Sequence, residues 1–427
     1  MRCPHCSDEF EIPTFDPDAT LPDFPALASE PLADAESAVI LTPGPNAQEE
    51  VQEALILAEP GQVIELGAGV FEFTRSLSLD VDNVTLRGQG LDKTILSFKN
   101  QTAGSEGLSV TSDGVILQDF AVEDAIGDAI KVNGVNQISF IRVRAEWTGG
   151  PKATNGAYGL YPVSCENVLI DGCVAIGASD AGLYIGQSRN VVVRNSVAKY
   201  NVAGIEIENC YNADVYNNLA THNTGGILVF DLPNLPQQGG HTVRVFNNRI
   251  VDNDTQNFAP PGNIVGNVPT GTGMLIMANR NVEIFENIMS GNGTANIMIS
   301  SYKGSPGEKI DPNYYKYPEG IHIHHNEFGT GGEKPDGMLG KMAAAAAGSA
   351  TLPDIVWDGV VNEAKVIDGK LPEGSGIYIH DNGDADFVNL DYANWIKDAA
   401  SSNPSRDLAP HAGSMPALAE VKLPQDS

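Results

Sequence analysis

The sequence predicts an all-β chain wound as a single-stranded right-handed parallel β-helix, a solenoid of about eleven coils with a helix over its N-terminal end. Three observations carry this prediction. Apolar residues alternate within short runs, which fits strands and excludes a helical period. The runs recur at fixed spacing: Asn167-Val-Leu-Ile-Asp-Gly-Cys173, Asn190-Val-Val-Val-Arg-Asn-Ser196 and Asn212-Ala-Asp-Val-Tyr-Asn-Asn218 start 23 and then 22 residues apart. Asparagines repeat at two fixed places between them, Asn218, Asn248, Asn287 and Asn326 (with Ser196) at one, Asn201, Asn223, Asn253 and Asn292 at the other.

In chain order, residues 1–44 read as a tail and linker, because the stretch from 7 is rich in Pro, Asp and Ala without periodicity and cannot offset its own ordering entropy. Asn46 to Ala58 offers an N-cap residue, early acidic residues and apolar residues at helical spacing, so it predicts the helix over the open end. Residues 45–330 form the solenoid. A second strand type runs through it: Gly182-Leu-Tyr-Ile185, Gly204-Ile-Glu-Ile207, Gly226-Ile-Leu-Val229, Gly273-Met-Leu-Ile276 and Asn296-Ile-Met-Ile299. Alternation points Leu183, Ile205, Ile227, Met274 and Ile297 inward, like on like. The asparagine positions predict two ladders of side-chain amides that bond turn backbone in the coils above and below. Extra residues lie at Trp147–Ala157, Asp231–His241, Thr255–Thr270 and Ser301–Gly320, all flanking the second strand type, and predict walls of a groove. Residues 331–427 read as an Ala-rich insert, a final coil at Ile377-Tyr-Ile-His380 and a polar tail.

Composition narrows function. With 25 Lys+Arg against 55 Asp+Glu, the formal charge of −30 repels phosphate backbones, so no nucleic-acid partner is expected. Cations are the easier partners. Calcium is the one cofactor the reading admits, and the metal ligands stay unknown. The apolar run Met342–Ala347 is too short to span a bilayer. Met1-Arg-Cys-Pro4 is not followed by an apolar signal region, so attachment to a membrane is expected only through a lost N-terminal anchor. Cys3-Pro-His-Cys6 resembles one zinc knuckle or a redox pair, but a second knuckle, a βαβ context and a His after Cys6 are missing; the plainer reading is an exposed tail.

On the second strand type the residue between the inward positions should face solvent, giving the row Lys131, Tyr161, Tyr184, Glu206, Leu228, Leu275 and Met298. Its first four members combine both charge signs with two aromatics and span roughly 15 Å at the usual strand spacing, the scale of a few sugar rings. They are the catalytic candidates. Glu206 and Glu208 share a strand face about 6.6 Å apart, a separation at which two carboxylates can divide acid and base roles around a water. A uronate lyase or epimerase needs a base, an acid and a cation for the sugar carboxylate, which Lys131, a tyrosine and calcium on Glu206 or Asp180 would supply. Gln187, Glu208 and Asp231 join Asp180 as substrate-binding candidates. Arg142, Arg144 and Trp147, with Glu146, read either as a sugar-carboxylate clamp or as an Arg–Glu pair at a loop base. Asp231 before Leu-Pro also fits an Asx-type turn.

The motifs Tyr158-Gly-Leu-Tyr-Pro-Val163, Ala178-Ser-Asp-Ala-Gly-Leu-Tyr-Ile-Gly-Gln187, Asn201-Val-Ala-Gly-Ile-Glu-Ile-Glu-Asn209 and Gly225-Gly-Ile-Leu-Val-Phe-Asp231 resemble a family of bacterial parallel β-helix repeat proteins over roughly Val51 to Gly329. That resemblance implies an exported, often lipid-anchored protein, periplasmic or extracellular, whose gene is frequently paired with that of a c-type cytochrome-like protein. More distantly the repeats resemble carbohydrate-active β-helix domains, alginate lyases, mannuronan epimerases and a periplasmic nitrous oxide reductase maturation factor. The epimerases' Asp-Pro-His-Asp motif is absent. Two functions follow as expectations. One is binding, and lyase- or epimerase-like modification, of an acidic polysaccharide or oligosaccharide. The other is a non-catalytic periplasmic scaffold or maturation partner for a c-type cytochrome or another metalloenzyme, toward which acidity would steer a basic partner.

Overall fold

The computed structural model describes residues 39–304 and 307–424. Expectations on Cys3, Cys6 and the linker before Val39 lie outside the described residues.

Among the described residues the strands form two sheets, and every strand pairing is parallel. The smaller sheet has eleven strands, one per coil, and is called the groove sheet below. The larger has twenty, because most coils cross it in two segments such as Glu166–Asp171 and Val174–Ile176. It is called the back sheet. The strands continue past the boundary read at residue 330: Ile355–Trp357 and Phe387–Asn389 extend the groove sheet, and Ile377–His380 the back sheet.

Alternation places the core as expected. Leu183, Ile205 and Ile227 are in register and fully buried, and Met274 and Ile297 extend the column. Stacking similar aliphatic side chains fills the lumen coil upon coil, so each coil stabilises its neighbours. The ladders are also present. Asn218 Nδ2 donates to Asn248 Oδ1 at 3.0 Å, Asn248 to Asn287 at 2.9 Å, and Asn287 to Asn326 at 2.9 Å. Asn201, Asn223, Asn253 and Asn292 repeat the pattern. A third, more exposed ladder joins Asn136, Asn167, Asn190 and Asn212, three of them in the left-handed region that asparagine tolerates. The strand motif begins with Gly because a Cβ on Gly182, Gly204, Gly226 or Gly273 would sit within 2.6–2.9 Å of a ladder amide nitrogen.

The helix Ala47–Leu57 closes the N-terminal end with Val51 and Leu55 in the core. Its glutamines replace the missing coil. Gln48 Oε1 accepts the Thr74 and Arg75 N–H groups, while Gln52 both donates to the Ser78 carbonyl and accepts its N–H. Asn46 holds the N-cap position but makes no side-chain cap bond.

The four inserted loops do not wall an open groove. Segments 255–270, 301–304 and 307–318, with the helix Gly337–Ala346, fold down onto the outer face of the groove sheet. There Val265, Val268, Tyr302 and Ala343 pack on Leu228, Leu275 and Met298 as a second apolar core. The outward row is therefore mostly buried: Tyr184, Glu206, Leu228, Leu275 and Met298 are all covered, and Lys131 and Tyr161 remain accessible. Apolar outward residues in these coils are the physical reason, since leaving them wet would forfeit about 25 cal/mol per Å² of burial.

Candidate functional site

Two adjacent columns on the outer face of the groove sheet build the site. One is the expected row, with Lys131 in register with Tyr161, and Tyr184 with Glu206. The other lies three residues earlier on each strand and reads Glu106, Asp128, Tyr158, Ala181, Ala203. Its small members leave room for rings. Tyr158 packs 4.4 Å from both Tyr161 and Tyr184, and Tyr161 meets Tyr184 edge-on at 5.0 Å. Lys131 Nζ lies 5.4 Å from the Tyr161 ring centre and 3.6 Å from Glu106.

The carboxylates divide by depth. Asp128 is half-buried at the open end, where burial pushes its pKa up to about 6 against the pull of Lys131 and the Tyr158 N–H. Asp180 lies behind it. Asn263 of the folded-down loop donates to Asp180 Oδ2 at 2.9 Å, and the Tyr158 side chain also favours its charge, yet burial prevails and raises it to about 7. Glu208, raised to about 7 mainly by burial, accepts the Tyr184 hydroxyl at 2.6 Å. Glu206 is 1% exposed, has an Oε2 without a hydrogen-bond partner, and is held protonated by burial beside Asp180 and Glu208. Burial also raises all three tyrosines, Tyr161 to about 12. Low dielectric disfavours each charge, so burial moves every carboxyl of the cluster toward its neutral form.

The predicted residues separate accordingly. Lys131, Tyr161, Tyr184, Asp180, Glu206 and Glu208 come together, but Tyr184, Asp180, Glu206 and Glu208 are all buried, and of the six Lys131 and Tyr161 are accessible. Asp231 is fully buried at a loop base, where its Oδ1 accepts the Gly240 N–H at 2.7 Å; it staples the two ends of that loop. Gln187 sits at a turn and lines a separate polar cavity of about 590 Å³ with Arg189, Tyr211 and Gln237. Arg142, Arg144 and Trp147 are not at the site. Both arginines belong to the back-sheet strand Asn136–Glu146, where Arg142 makes a bidentate pair with Asp119 (2.6 and 2.8 Å) and Arg144 pairs with Glu123 and Glu146. Carboxylates of the back sheet already pair with both guanidinium groups away from the site, which leaves no sugar clamp there. Trp147 is buried and its Nε1 donates to the Ala125 carbonyl at 2.7 Å.

Residues 78–234 match a family profile described as a right handed beta helix region. The chain folds as a right-handed parallel β-helix. Among solved structures this β-helix is similar to the A-module of mannuronan C-5 epimerase AlgE4 of Azotobacter vinelandii, at 14% identity over 73% of this chain and 87% of that one, with a TM-score of 0.45. It is also similar to a polygalacturonase from Erwinia carotovora ssp. carotovora (13% identity, 69% and 86% covered, TM-score 0.45) and to an alginate lyase from Paenibacillus sp. str. FPU-7 (15%, 70% and 96%, 0.41). No curated protein matches the chain.

Proposed function

We propose that the open end of this site binds a polysaccharide and transfers protons on it, with Asp128 and Asp180 as the acid–base pair. The observation that carries the reading is the meeting of Asp128 and Asp180 beside Tyr158, whose ring packs on two further tyrosines. Two carboxyls raised to about 6 and about 7 are split between ionised and neutral forms near neutral pH, the condition for one to accept a proton and the other to give one. Tyr161 and Lys131 form the accessible rim, an aromatic face for a sugar ring and a cation for its carboxylate.

The finer reading is a uronate-containing substrate, processed by elimination or epimerisation. The net charge of −30 opposes an anionic chain, so calcium enters this reading as a bridging cation. Docking of a basic c-type cytochrome rests on that charge and on the resemblance, and gains no support from the site.

The test is incubation of purified protein with alginate, pectate and glycosaminoglycans, with and without calcium, following absorbance of unsaturated ends and epimer ratio by NMR. Turnover of one of these, reduced at least about 100-fold by Asp128→Asn, supports the reading. Turnover unaffected by Asp128→Asn contradicts the assigned pair.

A further inference from the structure

On the outer face of the back sheet, strands Arg280–Phe285, Glu319–His324 and Ile377–His380 stack in register, Glu283 against His322 and His324 against His380. We propose that Glu283, His322 and His324 form a binding site for a divalent first-row transition-metal ion of the zinc type. This site is separate from the tyrosine–carboxylate cluster of the groove sheet.

Three ligand atoms, Glu283 Oε1, His322 Nδ1 and His324 Nε2, lie within 4.8 Å of one another. Glu283 Oε1 is 3.2 Å from His324 Nε2 and 3.8 Å from His322 Nδ1. The edge of a tetrahedron around zinc is about 3.3 Å for ligands at about 2.0–2.1 Å, so small movements close the set. The other oxygen of Glu283 is taken, since Oε2 accepts the Leu418 N–H at 2.9 Å.

Hydrogen bonding around the ligands aims the lone pairs inward. Asp381 Oδ2 lies 2.9 Å from His380 Nδ1, and His380 Nε2 lies 2.8 Å from His322 Nε2. The carboxylate fixes the His380 proton on Nδ1, so Nε2 accepts from His322 Nε2–H, and a neutral His322 is left with a bare lone pair at Nδ1. That nitrogen is buried without a hydrogen-bond partner, in a residue 5% exposed. His324 Nδ1 lies 2.9 Å from His325 Nδ1, and when it donates there His324 Nε2 keeps its lone pair. Ordinary packing explains part of the cluster, because Phe246, Phe285, His324 and His380 stack at 4.8–5.4 Å. It does not explain the bare nitrogen of His322 aimed at a buried carboxylate. A metal ion satisfies both, and three protein ligands leave positions open to water or a further ligand.

The full chain, stripped with a chelator and carrying Cys3→Ser and Cys6→Ser to remove thiol ligands of the tail, is titrated with zinc by calorimetry and with cobalt by visible absorption. One equivalent is expected, lost in Glu283→Gln and in His324→Ala. His380→Phe keeps the ring stack but removes the proton relay, and is expected to weaken binding about 10–100-fold with the circular dichroism unchanged. The proposal is overturned if the stripped chain takes up neither metal, or if affinity is the same in folded Glu283→Gln, His324→Ala and His380→Phe proteins.

Discussion

At the scale of single residues, Gly186 decides how the buried part of the candidate site is joined. A Cβ there would lie 2.4 Å from Tyr184 Cε1 and 2.5 Å from its hydroxyl oxygen, so only glycine lets the ring lean across and donate to Glu208. Gly186→Ala is expected to cost about 1–3 kcal/mol, the penalty for leaving a buried acceptor without its donor. Gly44→Ala, where nothing lies within 4 Å of the added carbon, should be neutral. Denaturant unfolding of the two variants checks the pair, and equal stabilities would refute the role given to Gly186. Half of this site was legible in the sequence. Strict alternation from Leu160 and Leu183 finds Tyr161, Tyr184 and Glu206, but it passes over Asp128 and Tyr158, which open their strands on the parity assigned to the core. Reading the residue three before each member of the outward row as a column of its own, Glu106, Asp128, Tyr158, Ala181, Ala203, would have found them.

At the scale of elements, the asparagine ladders were readable because they depend only on spacing, and spacing is local. The cover over the row was not. Asn263 reaches Asp180 from 83 residues away, and no repeat announces where an inserted loop folds. The ladders also make a sharp energetic prediction. Asn248 accepts from the Asn218 N–H and side-chain amide and donates to the Val215 carbonyl and Asn287. Asn248→Ala strands several buried groups at once, and a loss of about 3 kcal/mol is expected. Asn212→Ala, on the more exposed third ladder, should cost about 1 kcal/mol or less. Thermal midpoints of the two proteins compare them directly; the reverse order would contradict the ladder account.

At the scale of the whole molecule, the buried carboxyls link stability to pH. Asp180 and Glu208 have folded pKa values of about 7, raised above their unfolded values near 4. The folded state therefore holds more protons between those limits, so their contribution is fully present below about pH 4 and is lost as pH rises through 7. Buried histidines act in the opposite direction: His322 is pushed down to about 4, mainly by burial, and its share is lost as pH falls through the ordinary histidine range. Comparing Glu208→Gln with the parent at each pH cancels that share. The variant should melt about 2–4 °C higher than the parent at pH 8 and gain nothing at pH 4. A gain at pH 4 that disappears at pH 8 would reverse the sign and refute the burial argument.

The central claim, that the open end of the tyrosine–carboxylate cluster receives a saccharide, is tested most directly by calorimetry with a panel of uronate oligosaccharides in calcium buffer, on the parent and on Tyr161→Ala. Tyr161 is the accessible ring, so its removal takes away the stacking face while the buried cluster stays in place. The account predicts measurable binding of at least one oligosaccharide to the parent, weakened by about 1–2 kcal/mol in the variant. Absence of binding by every oligosaccharide, or equal affinity in the two proteins, would contradict it.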